Sequence, residues 1–154
     1  MPSSSLAPKR WWAKAALSGA VAGAIYGPIE AGLVALVSQT SFWALPHRIA
    51  GLLLGSNILS LPISPGTVLI GIAVHMALAV AFGLAIVVPV KRAGPGMSFV
   101  VGSAVGVAIY LVSYHVVAPI LFPWMLLAQG VHTLLMHVAF ALITVADYER
   151  RPPR

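Results

Sequence analysis

The stretch GIAVHMALAVAFG, residues 71–83, decides the fold of this chain. It is apolar on both sides of His75, and it belongs to an apolar run too long for a strand of a soluble core. A second stretch, TLLMHVAFALIT at 133–144, repeats the design around His137. Each histidine has a small residue four positions before it (Gly71, Thr133) and an alanine four positions after it (Ala79, Ala141). These offsets share one face of a helix.

The composition is that of an integral membrane protein. Of the 154 residues, 60% are hydrophobic and only 8% are charged, whereas about a quarter of a soluble domain is charged. A span needs about 20 residues, so we predict an all-α, four-helix transmembrane bundle with no soluble domain. The absence of cysteine excludes disulfides, thiolate metal sites and a cysteine nucleophile.

The apolar segments give approximate boundaries. We predict spans at 15–37, 67–90, 97–118 and 125–146, with a short interfacial helix on the outer side, starting near Pro46, between the first two. Residues 1–14 and 147–154 are predicted to be cytoplasmic tails. This topology places Lys9, Arg10, Lys14, Lys91, Arg92, Arg150, Arg151 and Arg154 on one side, and only Arg48 on the other. Such a bias predicts that both termini are cytoplasmic. It also accounts for the basic residues without nucleic acid, so we expect the lipid bilayer as partner and no nucleic acid.

Small residues recur every four positions in the first and third spans. Gly19, Gly23 and Gly27 line one face of the first span, and Gly102 and Gly106 line one face of the third. Such faces let helix backbones approach closely, so we expect helix packing there. Both glycine runs lead to a tyrosine, and the second and fourth spans share their histidine pattern. The chain is therefore a candidate for a parallel duplication, with an axis along the membrane normal.

The polar side chains of the spans gather in the predicted outer half. Glu30 is the only acidic residue in any span, and an unpaired carboxylate inside a membrane costs several kcal/mol. His75, His137 and Glu30 form the best set for a metal ion, with His132 and His115 as further candidate ligands. His75 and His137 could instead hold haem b, or copper, between two helices. In the haem case the flanking small residues would leave room for a flat macrocycle. Hydrogen bonding between helices is the alternative role for these histidines, and proton or quinone handling is another.

Several motifs together resemble a known group of proteins. These are IAGLLLGS at 49–56, Gly71 to His75, a glycine-rich third span ending at Pro119, and L-x-x-H-x-x-F reaching Phe140. They resemble an uncharacterised family of small four-span bacterial membrane proteins, on whose two histidines His75 and His137 fall. Some members are encoded beside respiratory oxidases. The resemblance implies a location in the bacterial inner membrane and a partner in a larger membrane complex.

Three functions follow as hypotheses. The first, implied by the resemblance, is an accessory subunit of an inner-membrane electron-transfer complex of the respiratory type. The second is a membrane redox protein that binds haem b or copper through His75 and His137. The third is a small proton or solute transport bundle that uses Glu30. The sequence contains no nucleotide-binding loop, catalytic triad or HExxH motif, so we predict no catalytic activity of its own.

Overall fold

The computed structural model describes residues 11–94 and 96–151. Regular structure within these two segments is entirely helical. The α-helices are α1 (Trp11–Ser38), α2 (Ala44–Leu54), α3 (Pro65–Val90), α4 (Ser98–Leu111), α5 (Ala118–Leu121) and α6 (Val131–Arg150). A π-helical segment, Val112–Val117, joins α4 to α5, and two short 3₁₀ helices occupy Ser56–Ser60 and Pro123–Ala128.

Four helical stretches of the described chain are long and apolar enough to cross a membrane: Trp11–Ser38, Pro65–Val90, Ser98–Leu121 and Val131–Arg150. The third of these is α4, the π-helical segment and α5 in continuous succession. The prediction of an all-α fold with four long apolar helices is thereby confirmed. The short helix expected between the first two spans is α2, and it begins at Ala44, just before Pro46.

The fourth long helix differs most from its predicted boundaries, because it begins at Val131 and not at residue 125. Residues Pro123–Ala128 form a 3₁₀ helix, and the extended backbone of Gly130 (φ 170°, ψ 173°) separates it from α6. His132 therefore lies in the first turn of α6. His137 lies about 9 Å from the start of the helix at 1.5 Å per residue, which is shallower than a helix beginning at residue 125 would place it.

The long helices pack as two pairs with the same local geometry. In the first pair, a Cβ placed on Gly23 of α1 would lie 2.5 Å from the Cβ of Ala79 in α3. In the second, a Cβ on Gly106 of α4 would lie 3.0 Å from the Cβ of Ala141 in α6. Since Ala79 and Ala141 each follow a histidine by four residues, the two pairs are in the same register, as a duplication would require.

The match between the two pairs continues one turn earlier in α1 and in α4. A Cβ on Gly19 would lie 2.9 Å from the Cα of Gly83, and one on Gly102 would lie 2.6 Å from Cγ2 of Val145. Gly83 and Val145 each come eight residues after the histidine of their helix. At these positions the helices of each pair lie too close together for a larger side chain on the glycine.

The first, third and sixth α-helices meet at one end of the bundle. Lys91 Nζ, just after α3, lies 3.4 Å from the ring centroid of Trp11. Lys14 Nζ lies 4.3 Å from the ring centroid of Tyr148 in α6. These cation–π contacts place the start of α1 beside the ends of α3 and α6. Those predicted cytoplasmic residues that the structure describes therefore share one end, which we call the basic end.

At the opposite end, α2 rests directly on α3. A Cβ on Gly71 would collide with the carbonyl oxygen of Pro46, so only glycine permits this contact. The buried imidazole of His47 donates from Nε2 to the carbonyl oxygen of Ile58 (3.0 Å), and its Nδ1 lies 2.8 Å from Thr67 Oγ1. Gly55 ends α2 with φ +87°, a conformation that suits glycine, and its N–H donates to the Gly51 carbonyl.

Local sequence explains where α3 begins. Ser64 is its N-cap, and its hydroxyl accepts a hydrogen bond from the backbone N–H of Thr67 at 3.3 Å. The Thr67 hydroxyl in turn accepts from the Ser64 N–H at 3.2 Å, which completes a capping box. Pro65 occupies the first helical position, where its missing N–H costs nothing. Thr67 thus both caps α3 and holds His47.

Candidate functional site

A cavity of about 380 Å³ lies between the two helix pairs and under α2. Its lining side chains come from α1, α2, α3, the π-helical segment and α6, and most of them are apolar. The lining residues with polar side chains, tyrosines included, are Tyr26, Glu30, Arg48, His75, Ser113, Tyr114, His132, Thr133 and His137. Four of the five site residues predicted from the sequence (Glu30, His75, His132 and His137) therefore line one cavity.

His75 reaches from α3 to the backbone of α1. Its Nε2 lies 3.0 Å from the carbonyl oxygen of Gly23, and a carbonyl can only accept, so Nε2 carries the proton. A Cβ on Gly27 would lie 2.8 Å from the same nitrogen, so this glycine makes room for the ring. The ring also lies parallel to that of Tyr26, with centroids 6.1 Å apart. Nδ1 remains as a hydrogen-bond acceptor.

His137 is held differently, within its own helix. Its Nδ1 lies 2.8 Å from the carbonyl oxygen of Thr133, so Nδ1 carries the proton and Nε2 remains as an acceptor. Tyr110 and Tyr114 pack edge-on against the imidazole, with centroid distances of 5.8 and 6.0 Å. Tyr26 plays the corresponding part for His75, so each histidine is fixed by tyrosine from the preceding long helix of its pair.

Glu30 and Arg48 bring opposite charges to the cavity. Glu30 is half-buried and follows Tyr26 by four residues, which puts the two side chains on one face of α1. Arg48 lies on α2 and is also half-buried. Within the described chain, an ion pair forms between Arg151 and Asp147 but not between Glu30 and Arg48. The cavity therefore holds one acidic and one basic group that do not neutralise each other by direct contact.

Arg48 is the site residue that the sequence analysis missed. We used it only as the one basic residue outside the cytoplasmic set. The signal was nevertheless present, because the lining residues of α2 are Leu45, Arg48, Ile49 and Leu52. This i, i+3, i+4, i+7 spacing marks a single helix face. Reading α2 as a helix with one apolar face would have placed Arg48 on the face toward the bundle.

The π-helical segment decides which way the third span's polar residues point. Pro119 has no N–H to give to the preceding turn, so regular α-helical bonding is interrupted there. The wider turn buries Tyr114 at the cavity and leaves His115 exposed. The Gln129 amide nitrogen lies 3.1 Å from Nδ1 of His115. His115, predicted as a further metal ligand, therefore does not line the cavity.

His132 lies at the rim of the cavity, in the first turn of α6. Its Nε2 is 2.9 Å from Thr133 Oγ1. The threonine hydroxyl donates its own proton to the carbonyl oxygen of Ala128, so Nε2 of His132 is the donor to that hydroxyl. His132 and His137 are thus held in separate hydrogen bonds, one at each side of Thr133.

The arrangement does not fit a metal ion held by several of these residues. Among the described residues, no group of three or more His, Cys, Asp or Glu side chains is close enough to share one. Glu30, His75, His132 and His137 instead surround a space of several atoms' width. His115 lies outside this space, so the five predicted ligands do not converge.

Haem b does not fit these residues either. The ring Nε2 of His75 is bound to the Gly23 carbonyl, and the small residues expected to leave room for a macrocycle are occupied. The Pro46 carbonyl fills the space at Gly71, while Ala79 and Ala141 pack against glycines of the neighbouring helices. The expectation of space for a flat ring beside these histidines is therefore not met.

The chain matches no known family of proteins, and neither a curated protein nor a solved structure is significantly similar to it. The resemblance to small four-span bacterial proteins thus stays a prediction, as does the accessory role that it implies. The geometry of the cavity is what bears on function.

Proposed function

We propose that this protein is a small transport bundle that takes up a proton or a solute in the cavity, with Glu30 as the charge-bearing group. The observation that supports the proposal is that Glu30 lines one cavity together with His75, His132, His137 and Arg48. Ionisable side chains inside a membrane are costly, and those that persist commonly mark pathways for ions and protons.

The position of the cavity also supports this proposal. Toward the basic end, the two helix pairs meet in a closed cluster that includes the buried side chains of Ile86 and Val90 in α3 and Val145 in α6. The cavity lies toward the other end, where α2 and the first turn of α6 contribute to its lining. A solute can therefore be held on one side of a closed constriction, the arrangement that alternating access requires.

Proton flux in liposomes tests the role of Glu30. The purified protein is reconstituted into vesicles that contain a pH-sensitive dye, and a potassium gradient with valinomycin drives proton movement. We expect Glu30→Gln to remove the flux, because the amide cannot carry a proton at this site. Glu149→Gln, at an exposed position in the last turn of α6, is the matched control and should retain it. Undiminished flux in Glu30→Gln would contradict the proposal.

The orientation in the membrane is part of the same proposal. We place the basic end on the cytoplasmic side, and the cavity therefore on the outer side, of a bacterial inner membrane. The native chain has no cysteine, so single cysteines report accessibility without background. A cysteine at Ala93 should be protected from an impermeant maleimide in intact cells, and one at Ser60 should be labelled. The reverse labelling pattern would invert the topology.

The accessory-subunit hypothesis rests on the family resemblance. Native electrophoresis in mild detergent tests it, because a subunit of a respiratory-type complex should migrate with larger partners. Migration of the chain alone, or only with copies of itself, would contradict that hypothesis and leave the transport proposal in place.

A further inference from the structure

We propose that the cavity binds an amphipathic zwitterion, with an ammonium group at Glu30, an anionic group at Arg48 and an apolar body against the aliphatic wall. This inference rests on the proposed function only in taking the cavity as the site that a solute occupies. It goes further by naming the chemistry of that solute.

The carboxylate of Glu30 and the guanidinium of Arg48 are the first reason to expect a zwitterion. Glu30 and Arg48 line the same cavity, yet the ion pair found in the described chain lies elsewhere, between Arg151 and Asp147. A charge removed from water needs a partner, since its desolvation is otherwise uncompensated. A ligand with one positive and one negative group satisfies both side chains at once. A ligand with a single charge would satisfy one of them and leave the other without a partner.

The histidines identify which end of the ligand is the donor. Because His75 donates from Nε2 and His137 donates from Nδ1, the remaining nitrogen of each ring is an acceptor. Since Glu30, His75 and His137 all line the cavity, its lining side chains include three hydrogen-bond acceptors. An ammonium group has three N–H donors to offer them. The ring of Tyr26 in the cavity wall adds a surface that attracts cations.

The size and the apolar lining exclude simpler occupants. The acidic and imidazole groups do not converge on a point as a metal site requires. The cavity, at about 380 Å³, has room for a molecule of several heavy atoms. Its wall includes an aliphatic and aromatic surface made by Leu45, Ile49, Leu52, Leu78 and Phe82. Such a surface fits a hydrocarbon group and not a hydrated ion.

Two sources supply this chemistry: a free amino acid with an apolar side chain, and the phosphoethanolamine headgroup of a membrane lipid. Native mass spectrometry of the detergent-solubilised protein measures binding of phosphatidylethanolamine, and isothermal titration measures binding of L-leucine. Phosphatidylcholine has the same charges but no N–H donor, and phosphatidylglycerol lacks the ammonium. We expect at least one of the two probes to bind, and in the lipid case at least tenfold tighter than either comparison lipid.

Two variants test the assignment of the charges. Glu30→Gln and Arg48→Gln should each weaken binding of the preferred probe at least tenfold. Glu149→Gln and Arg92→Gln, which change the same kinds of charge at exposed positions away from the cavity, should leave it unchanged. Binding of leucine alone identifies the free solute as the source, and binding of phosphatidylethanolamine alone identifies the lipid.

Failure of this inference is distinguishable from failure of the transport proposal. If neither probe binds, or if leucine does not bind and the three lipids bind the unmodified protein equally, the zwitterion proposal is overturned whatever the variants do. Proton flux that depends on Glu30 would still support transport in that case. Conversely, selective binding that needs Glu30 and Arg48, without flux of either protons or the bound probe, would overturn transport and support the zwitterion site.

Discussion

The two helix pairs of this protein share their packing but differ in their polar chemistry. Gly23 meets Ala79 in one pair as Gly106 meets Ala141 in the other. His75, however, donates across the pair to the α1 backbone, whereas His137 donates within α6. The first pair carries Glu30, and the helix α2 follows its helix α1 in the chain. The second pair instead has a π-helical segment after α4. A repeated scaffold thus accommodates a site whose two halves have different charges.

The difference teaches that close packing and site chemistry are set by different positions. The glycine and alanine contacts leave no freedom for larger side chains, so they fix the distance between helices. The ionisable residues that line the cavity lie outside these contacts, and there the two pairs differ. Each prediction below tests one element of this comparison, from the largest expected effect to the smallest.

The equivalence of the pairs is tested most strongly by bulky substitutions at the glycine contacts. Gly23→Leu and Gly106→Leu should each destabilise the fold by about 3 kcal/mol or more, because Ala79 and Ala141 of the partner helices occupy the space. Gly32→Leu is the control, since a side chain there would meet nothing within 4 Å. Thermal unfolding in detergent, followed by circular dichroism, measures the effect. If one pair tolerates its substitution, the two interfaces are not equivalent.

The second prediction concerns α2, which only the first pair possesses. His47→Ala should cost about 2 kcal/mol, because the Ile58 carbonyl loses its donor and the Thr67 hydroxyl loses a partner in a buried setting. His115→Ala, at an exposed position, should cost far less. Hydrogen exchange of residues 44–54, measured by mass spectrometry, should rise in the first variant alone. Unchanged protection would show that His47 does not hold α2.

The hydrogen bond by which His75, unlike His137, reaches a neighbouring helix gives a third, smaller effect. His75→Ala should destabilise the bundle by about 1 kcal/mol, the usual worth of a hydrogen bond between membrane helices. Gly27→Ala should act through the same contact, since its Cβ would displace the ring from the Gly23 carbonyl. In a double-mutant cycle the two costs should therefore not add. Additive costs in detergent unfolding would separate Gly27 from His75.

The smallest effect is expected at the basic end, which both pairs share. Asp147→Asn removes the intrahelical pair with Arg151, whose charged atoms lie 2.6 Å apart. An i, i+4 pair at a partly exposed position contributes about 0.3 kcal/mol and is screened by salt. The variant should differ from the unmodified protein in low salt and converge with it in high salt. A cost that persists in high salt would indicate a role beyond the charge pair.

Much of the fold follows from the sequence because the membrane imposes it. The lengths of the apolar segments predicted the four long helices, and the spacing of the glycines predicted which helix faces meet. The start of α6 was misplaced, because the apolar residues of Pro123–Ala128 read like the start of a span. Their 3₁₀ geometry depends on Pro123 and on the extended backbone of Gly130, local effects that hydropathy does not register.

The candidate site was only partly predictable. Glu30, His75, His132 and His137 stood out as ionisable groups in apolar surroundings, and they share a cavity. The outward turn of His115 depends on the π-helical segment, which adds a residue to one turn and shifts every later side chain. The ring-nitrogen assignments of His75 and His137 depend on backbone carbonyls. Side-chain patterns in a sequence carry no information about those partners.

The cation–π contact between Lys14 and Tyr148 links the two helix pairs at the basic end. Because the pairs are joined there, an outward tilt of either pair would rotate it about the basic end. A small angular change then gives the largest displacement farthest from the pivot, where Glu30 and His132 lie. Since bilayer thickness acts on helix tilt, we expect the capacity of the cavity to depend on the thickness of the surrounding bilayer.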